Sequence, residues 1–149
     1  MKNQITLEYY ENATFSHIKN LILLANLKDG IQLHERQLIE AVIERESVNE
    51  EKLQNGSFDD IYESLNKHAL LVEGRNLIIQ NVSVVPPKSD RKAVLYLYDM
   101  VCVMMAGDCV EGAENFCREV ALRFGFKKEI ITQLITIVNK SLEKVSQKQ

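Results

Sequence analysis

Two acidic pairs with the same spacing are the residues of this chain whose types best suit chemistry. Asp29 is followed by Glu35 and Asp108 by Glu114, each Glu six positions after its Asp, and the pairs lie 79 positions apart. Carboxylates, loop carbonyls and water are the oxygen ligands that Ca²⁺ and Mg²⁺ take from proteins. If the two loops face each other, four carboxylates converge, and Glu111 is a fifth candidate. One interpretation is therefore a site for a divalent cation.

The same pairs also have a purely structural interpretation. An Asp in a turn accepts hydrogen bonds from loop N–H groups, and a Glu in the first turn of a helix meets partial positive charge. Neither loop has the alternating oxygen ligands and central Gly of the EF-hand calcium loop. Helix capping alone would account for the spacing without any ligand.

Apolar positions on both sides of each acidic pair repeat at the same offset of 79 residues. The matching positions are Ile18, Leu21, Leu24, Leu38 and Val42 in the first copy, and Leu97, Met100, Val103, Cys117 and Ala121 in the second. Both sets have the spacing of one helix face before the pair and another after it. The chain therefore predicts a duplicated helix–acidic loop–helix unit.

The apolar periodicity predicts helices along most of the chain. The expected helices cover about 15–28, 38–43, 58–67, 89–106, 116–124 and 131–145, and the first of them stops at Lys28-Asp29-Gly30. The Val- and Ile-rich segment 70–85 would also suit a strand, but no partner strand is evident, so we interpret it as a helix that Pro86 ends. The prediction is an all-α bundle of six or seven helices in a single domain, residues 1–149, with poorly ordered tails at 1–12 and 146–149.

Bulk composition narrows the classes of function. The net charge of −3 and pI of about 5.7 argue against generic binding to nucleic acid or to anionic lipid. The longest apolar stretch, 93–106, contains Asp99 and is too short to span a membrane, so no membrane insertion is expected. The first ten residues have no apolar run typical of a signal peptide. We therefore expect a cytoplasmic protein with reduced thiols at Cys102, Cys109 and Cys117, whose spacing does not suit structural zinc.

Asp99 is the only charged residue inside the most apolar helical pattern. We expect it to be buried, and a buried carboxylate must be paired or protonated. It would act either as a ligand or perturbed acid near the Asp108 loop, or as the acceptor of a hydrogen bond from a helix terminus or a tyrosine such as Tyr96. The second interpretation is favoured.

No motif for nucleophilic catalysis or phosphate binding is present. The three histidines, His17, His34 and His68, are scattered along the chain. A catalytic triad is recognised by geometry rather than by sequence order, so an enzyme remains a third class, supported only by Asp99 and these histidines. The expectation is that the chain is not an enzyme and has no catalytic residue.

The helix, Asp-Gly turn, Glu six residues after the Asp, and amphipathic helix resemble the TerB-like (tellurite-resistance B) family. The second copy is closer to the family motif, which has an Ala-Asp-Gly-like turn, a Glu in the next helix and a Leu-Gly-Leu-like helix end, here Phe124-Gly-Phe126. The resemblance covers roughly residues 15–140. Two departures are that no Ser or Thr lies between the Asp and the Glu in either copy, and that Gly follows Asp only in the first.

The resemblance implies one all-α domain with no established catalytic residue, in a family linked to metal- and stress-response systems and often found in complexes. It would make Asp29, Glu35, Asp108 and Glu114 the family's acidic positions. We therefore expect a non-enzymatic domain that binds a protein partner, a second copy of itself or a divalent cation through the acidic loops. The competing expectation is an interaction or scaffold module whose acidic pairs serve only as helix caps.

Overall fold

The computed structural model describes residues 13–25, 33–48, 84–107 and 112–147, with side chains as far as 141. These ranges contain five helices and no strand. The helices are α1 (Ala13–Ala25), α2 (Leu33–Ser47), α3 (Asp90–Ala106), α4 (Ala113–Arg123) and α5 (Glu129–Gln147). The all-α prediction is confirmed for the described part. The tail 1–12, the helix predicted over 58–67 and all but the last two residues of the helix predicted over 70–85 lie outside it. The total of six or seven helices therefore stays a prediction.

The central helix is α3, which packs against each of the other four helices. Leu97, Met100, Val101 and Val103 are completely buried on it. A Leu, Met or Val side chain that is removed from water contributes about 1.5–3 kcal/mol, so this helix accounts for much of the core's stability. Its burial follows from its nearly continuous apolar sequence.

The ends of α3 are where the sequence predicts them. The hydroxyl of Ser89 accepts a hydrogen bond from the Lys92 backbone N–H at 3.1 Å and caps the N-terminus. The helix ends at Ala106, next to Gly107. The preceding helix prediction was wrong at its end, because residues 84 and 85 are outside any helix. A residue that precedes proline is pushed away from helical angles, and the Val85 N–H bonds instead to the Ser16 hydroxyl at 3.0 Å.

The turn between α4 and α5 has the hydrogen bonds of a Schellman motif. The N–H of Phe126 bonds to the carbonyl of Ala121 at 2.9 Å, and the N–H of Gly125 bonds to that of Leu122 at 3.0 Å. Gly125 has φ +92°, which favours glycine because other residues meet a Cβ clash there. The predicted helix end at Gly125 is thereby confirmed. The next helix, α5, continues to Gln147, two residues into the predicted C-terminal tail.

The helix bounds agree with the offset of 79 residues. Shifting α1 by that offset gives 92–104, within α3, and shifting α2 gives 112–126, which covers α4. Matched positions such as Ile18 and Leu97 are both fully buried. Superposition of the two helix pairs stays a prediction.

Helix α1 is enclosed on all sides, although the sequence predicts only an apolar face. Every residue from Phe15 to Ala25 is buried, including the polar Ser16, His17, Lys19 and Asn20. Buried polar side chains require hydrogen-bond partners. This helix therefore supplies one side of the polar site described next.

Candidate functional site

Glu35, the acidic residue of the first unit, lies at the junction of α2 and α3. It is in the first turn of α2 and is only 6% exposed. Its Oε2 is beside Gly107, close enough that a Cβ on that glycine would lie 3.1 Å away. The glutamate of the first unit therefore contacts the residue immediately before Asp108. Asp29, Asp108 and Glu111 lie outside the described residues, so convergence of the two loops stays a prediction.

Glu114, the acidic residue of the second unit, has different surroundings. It is in the first turn of α4, and its side chain is 55% exposed. Its Oε2 lies 3.5 Å from Nε of Arg118, one turn along the same helix. An exposed pair of this kind contributes little to stability, and the position suits helix capping. Within the part of the chain that the structure describes, no three His, Cys, Asp or Glu side chains form a group able to hold a metal ion.

Two of the three cysteines fall within the described ranges, and both are free thiols. Cys117 is buried and Cys102 is half-buried. Burial raises the pKa of the Cys102 thiol, so this side chain stays protonated rather than becoming a nucleophilic thiolate. The third, Cys109, is outside the described residues.

Within the described ranges, a cluster of buried and half-buried charged and polar side chains joins α1, α2 and α3. We call it the interhelical polar cluster, and its members are Thr14, His17, Arg45, Glu46, Lys92, Tyr96 and Asp99. At its centre, both oxygens of Asp99 accept hydrogen bonds from Arg45, with Nη1–Oδ1 at 3.0 Å and Nη2–Oδ2 at 2.7 Å. Nε2 of His17 lies 2.9 Å from Oδ2 of the same carboxylate. Asp99 therefore connects all three helices.

Glu46 is the second carboxylate of the cluster. Its Oε2 accepts a hydrogen bond from Nζ of Lys92 at 2.7 Å and lies 3.4 Å from Nε of Arg45. Its Oε1 accepts a hydrogen bond from the hydroxyl of Tyr96. The cluster thus contains two carboxylates and two cations, so its charges balance. Glu46 is 3% exposed, whereas the side chains of Arg45 and Lys92 are about one-third exposed and form the edge nearest to solvent.

Two rings occupy the interior of the cluster. The imidazole of His17 stacks on the ring of Tyr96, with centroids 3.8 Å apart and planes 7° from parallel. The Tyr96 hydroxyl also lies 3.3 Å from Oγ1 of Thr14. The contacts Thr14–Tyr96 and His17–Asp99 are both 82 residues apart in sequence and one turn apart on each helix, so α1 and α3 run in the same direction where they meet.

The ionisation of the cluster follows from burial and hydrogen bonding. Burial lowers the pKa of His17 more than its hydrogen bond to Asp99 raises it, so the imidazole is neutral. Burial would raise the pKa of Asp99, but hydrogen bonds from His17 and Arg45 outweigh it and hold this pKa below its usual range. Burial likewise opposes ionisation of Glu46, whose pKa is nevertheless lowered by bonds from Lys92 and Tyr96. Both carboxylates are therefore anions.

The structure corrects the partner that we expected for Asp99. The prediction that it is buried and paired is confirmed, but its partners are His17 and Arg45 rather than Tyr96 or a helix terminus. Tyr96 bonds to Glu46 instead. Sequence reasoning missed Arg45 and Glu46 because the local pattern does not distinguish them from the exposed charged residues of α2, such as Glu40 and Glu44. The 79-residue offset places Tyr96 at the position of His17 and Asp99 at that of Asn20, but it gives no signal for Arg45 or Glu46.

His17 and Asp99 are the residue types of a catalytic dyad, but both side chains are buried. The imidazole is 1% exposed and Asp99 is 7% exposed. His34 is exposed on α2, and His68 lies outside the described residues. A general base must reach the proton that it abstracts. The arrangement is suited to joining helices rather than to acting on a substrate.

Comparison of the chain with family models, with curated proteins and with solved structures finds no match. Among the described residues, no helix has both the length and the apolar character needed to cross a bilayer. The interpretation of the site therefore depends on its own geometry.

Proposed function

We propose that this chain is a non-enzymatic, TerB-like binding domain whose ligand is a divalent cation, Ca²⁺ or Mg²⁺. The observation that carries the proposal is the contact between Glu35 and Gly107. It brings the first acidic unit to the segment that leads into the second acidic loop. In this proposal Asp29 and Asp108 are direct oxygen ligands.

The remaining acidic residues have supporting roles in the proposal. Glu35 and Glu114 ligate the cation or orient the loops, and Glu111 is a further oxygen donor. A largely buried carboxylate such as Glu35 interacts more strongly with a cation than an exposed one does, because water and salt screen the interaction less. Glu35 is therefore the described residue whose removal has the largest expected effect on cation binding.

Titration calorimetry with Ca²⁺ and Mg²⁺ tests this function. The wild-type chain should bind with measurable heat and gain thermal stability, because a ligand that binds only the folded state stabilises it. Glu35→Gln should weaken binding at least tenfold. Glu44→Gln is the matched control, because it removes the same charge from an exposed position on the same helix. Absence of heat and of a melting shift at millimolar metal would remove the cation from the proposal.

The second candidate is a protein-interaction or scaffold module whose acidic pairs serve only as helix caps, and substitution of Glu114 tests it. This residue is exposed and pairs with Arg118 on its own helix, and its place in the first turn of α4 puts its charge beside the positive end of the helix dipole. If capping is its whole role, Glu114→Gln lowers stability by about 0.3–1 kcal/mol and leaves every binding measurement unchanged. Sedimentation velocity of the wild-type chain would then show whether it associates with itself.

The enzyme class receives the least support. Asp99 and His17 do meet, but both are buried inside the interhelical polar cluster. Their burial favours a structural role for these two residues and supports a non-enzymatic function for the domain.

A further inference from the structure

Two neighbouring polar groups on α1 are buried and unpaired. Nδ1 of His17 and both amide atoms of Asn20 make no hydrogen bond within the described part of the chain. Each residue is only 1% exposed, so bulk water does not solvate these atoms. Native proteins pair nearly all such groups with protein atoms or with ordered water. These atoms therefore point to a bound polar molecule.

The hydrogen bond to Asp99 determines that Nδ1 of His17 is a hydrogen-bond acceptor and not a donor. A carboxylate only accepts hydrogen bonds, so Nε2 must carry the proton that it donates to Asp99. In the neutral ring, Nδ1 then has a lone pair and no hydrogen. Tyr96 stacks on the face of the ring and does not contact this lone pair in the ring plane. Nδ1 of His17 is therefore a hydrogen-bond acceptor that lacks a donor.

Asn20 presents complementary groups one turn further along the same helix. Residues three apart on a helix have Cβ atoms about 5–6 Å apart and project from the same side. The Asn20 amide contributes two N–H donors and one carbonyl acceptor. A water molecule can donate to Nδ1 of His17 and bond to this amide, which gives it the two or more polar partners that an internal water requires.

If the two helix pairs are related by the 79-residue offset, that relation accounts for the unpaired amide. Asn20 corresponds to Asp99, and His17 corresponds to Tyr96. Asp99 accepts its hydrogen bond from His17 across the interface between α1 and α3. The reciprocal contact would join Asn20 to Tyr96, but the Tyr96 hydroxyl bonds to Glu46 and Thr14 instead. Asn20 consequently has no protein partner at this interface.

We propose that His17 and Asn20 form an internal binding site for a single water molecule in the core of the domain. The water donates a hydrogen bond to Nδ1 of His17 and bonds to the side-chain amide of Asn20. Water suits this site better than a metal ion, since the described residues offer only one nitrogen and one amide oxygen there. Its role is to hold the His17 ring in the orientation that donates to Asp99.

A crystal structure in which ordered water is visible tests the proposal on the wild-type chain. The expected result is a density peak about 2.7–3.2 Å from both Nδ1 of His17 and the Asn20 amide. Asn20→Leu should lose the peak, whereas Asn115→Leu, at an exposed position on α4, should retain it. If Asn20→Leu does not fold, the wild-type map decides alone.

Nuclear magnetic resonance of the wild-type chain gives an independent measurement. The Asn20 amide protons should show a nuclear Overhauser effect to water with the sign of a long-lived internal molecule. The His17 ring should carry its proton on Nε2. The proposal is overturned if Nδ1 carries the proton, or if the Asn20 amide bonds directly to Nδ1 with no water peak within reach.

Discussion

Asp99→Asn removes the charge on which the interhelical polar cluster depends and keeps the shape of the side chain. The carboxylate accepts two hydrogen bonds from Arg45 and one from His17. An amide retains one acceptor oxygen and turns an NH₂ group toward the other donors. Hydrogen bonds to charged groups contribute about 1.5–3 kcal/mol each, and breaking a buried ion pair costs about 3–5 kcal/mol. Because Arg45 is partly exposed and regains water, we expect a loss of about 2–4 kcal/mol.

Urea denaturation at pH 7, followed by circular dichroism, measures this loss directly. A domain of this size has about 5–15 kcal/mol of stability in total. In a thermal denaturation experiment, the same loss should lower the melting temperature by roughly 5–15 °C. Glu40→Gln is the control, because Glu40 is an exposed carboxylate paired with Arg36 at 3.0 Å, and its loss should change stability by less than about 0.5 kcal/mol. If Asp99→Asn is as stable as this control, the cluster does not join the helices as described.

Three further predictions concern the same fold. Stability should fall on acidification below pH 6.5, because the unfolded chain then protonates His17 while the folded chain keeps it neutral. It should fall again below about pH 4.5, because the unfolded chain takes up protons on Asp99 and Glu46 before the folded chain, in which both pKa values are lowered, does so. Urea midpoints that stay constant from pH 7.5 to 3 would contradict this. Tyr96→Phe keeps the stacked ring but loses the hydroxyl bonds to Glu46 and Thr14, so denaturation should show a loss of about 1–2 kcal/mol, and no loss would mean that these bonds contribute nothing. Gly125→Ala should cost about 1–2 kcal/mol through its positive φ alone, since a Cβ there meets open space, and a stabilised variant would refute this account of the turn.

The sequence predicts the helices well because their signals are local. Ser89 is a cap residue one turn before an apolar run that begins at Ala93, and its side chain caps α3. Gly125 follows the apolar stripe of α4, and the helix ends there. Asp99 is a charge within an apolar pattern, which predicts both burial and pairing. Each of these features depends on a few neighbouring residues, so a single sequence suffices.

The partners within the site could not be predicted in the same way. Arg45 is 54 residues from Asp99 and Lys92 is 46 residues from Glu46, so both contacts depend on how three helices pack. On α2, Glu46 follows two other charged residues, Glu44 and Arg45, yet it is only 3% exposed. A helix turns 100° per residue, and the packing of α1 and α3 determines which of these side chains is enclosed.

The two acidic pairs illustrate the limit of reasoning from repetition. Equal spacing predicts equal roles for Glu35 and Glu114, and both lie in the first turn of a helix. Their surroundings nevertheless differ. Glu35 is packed against Gly107, whereas Glu114 faces solvent beside Arg118. A repeated pattern therefore indicates related helices more securely than it indicates a shared chemistry.

Paramagnetic broadening by Mn²⁺ tests the proposed cation site most directly. Mn²⁺ takes the same oxygen ligands as Ca²⁺ and Mg²⁺ and broadens the amide resonances of residues close to it. Substoichiometric Mn²⁺ should broaden the resonances of Glu35 and Gly107 first, with excess Mg²⁺ restoring them, and should leave residues at the far end of α2, such as Arg45, sharp. Uniform weak broadening, or broadening centred elsewhere on the chain, would contradict a cation site at the junction of α2 and α3.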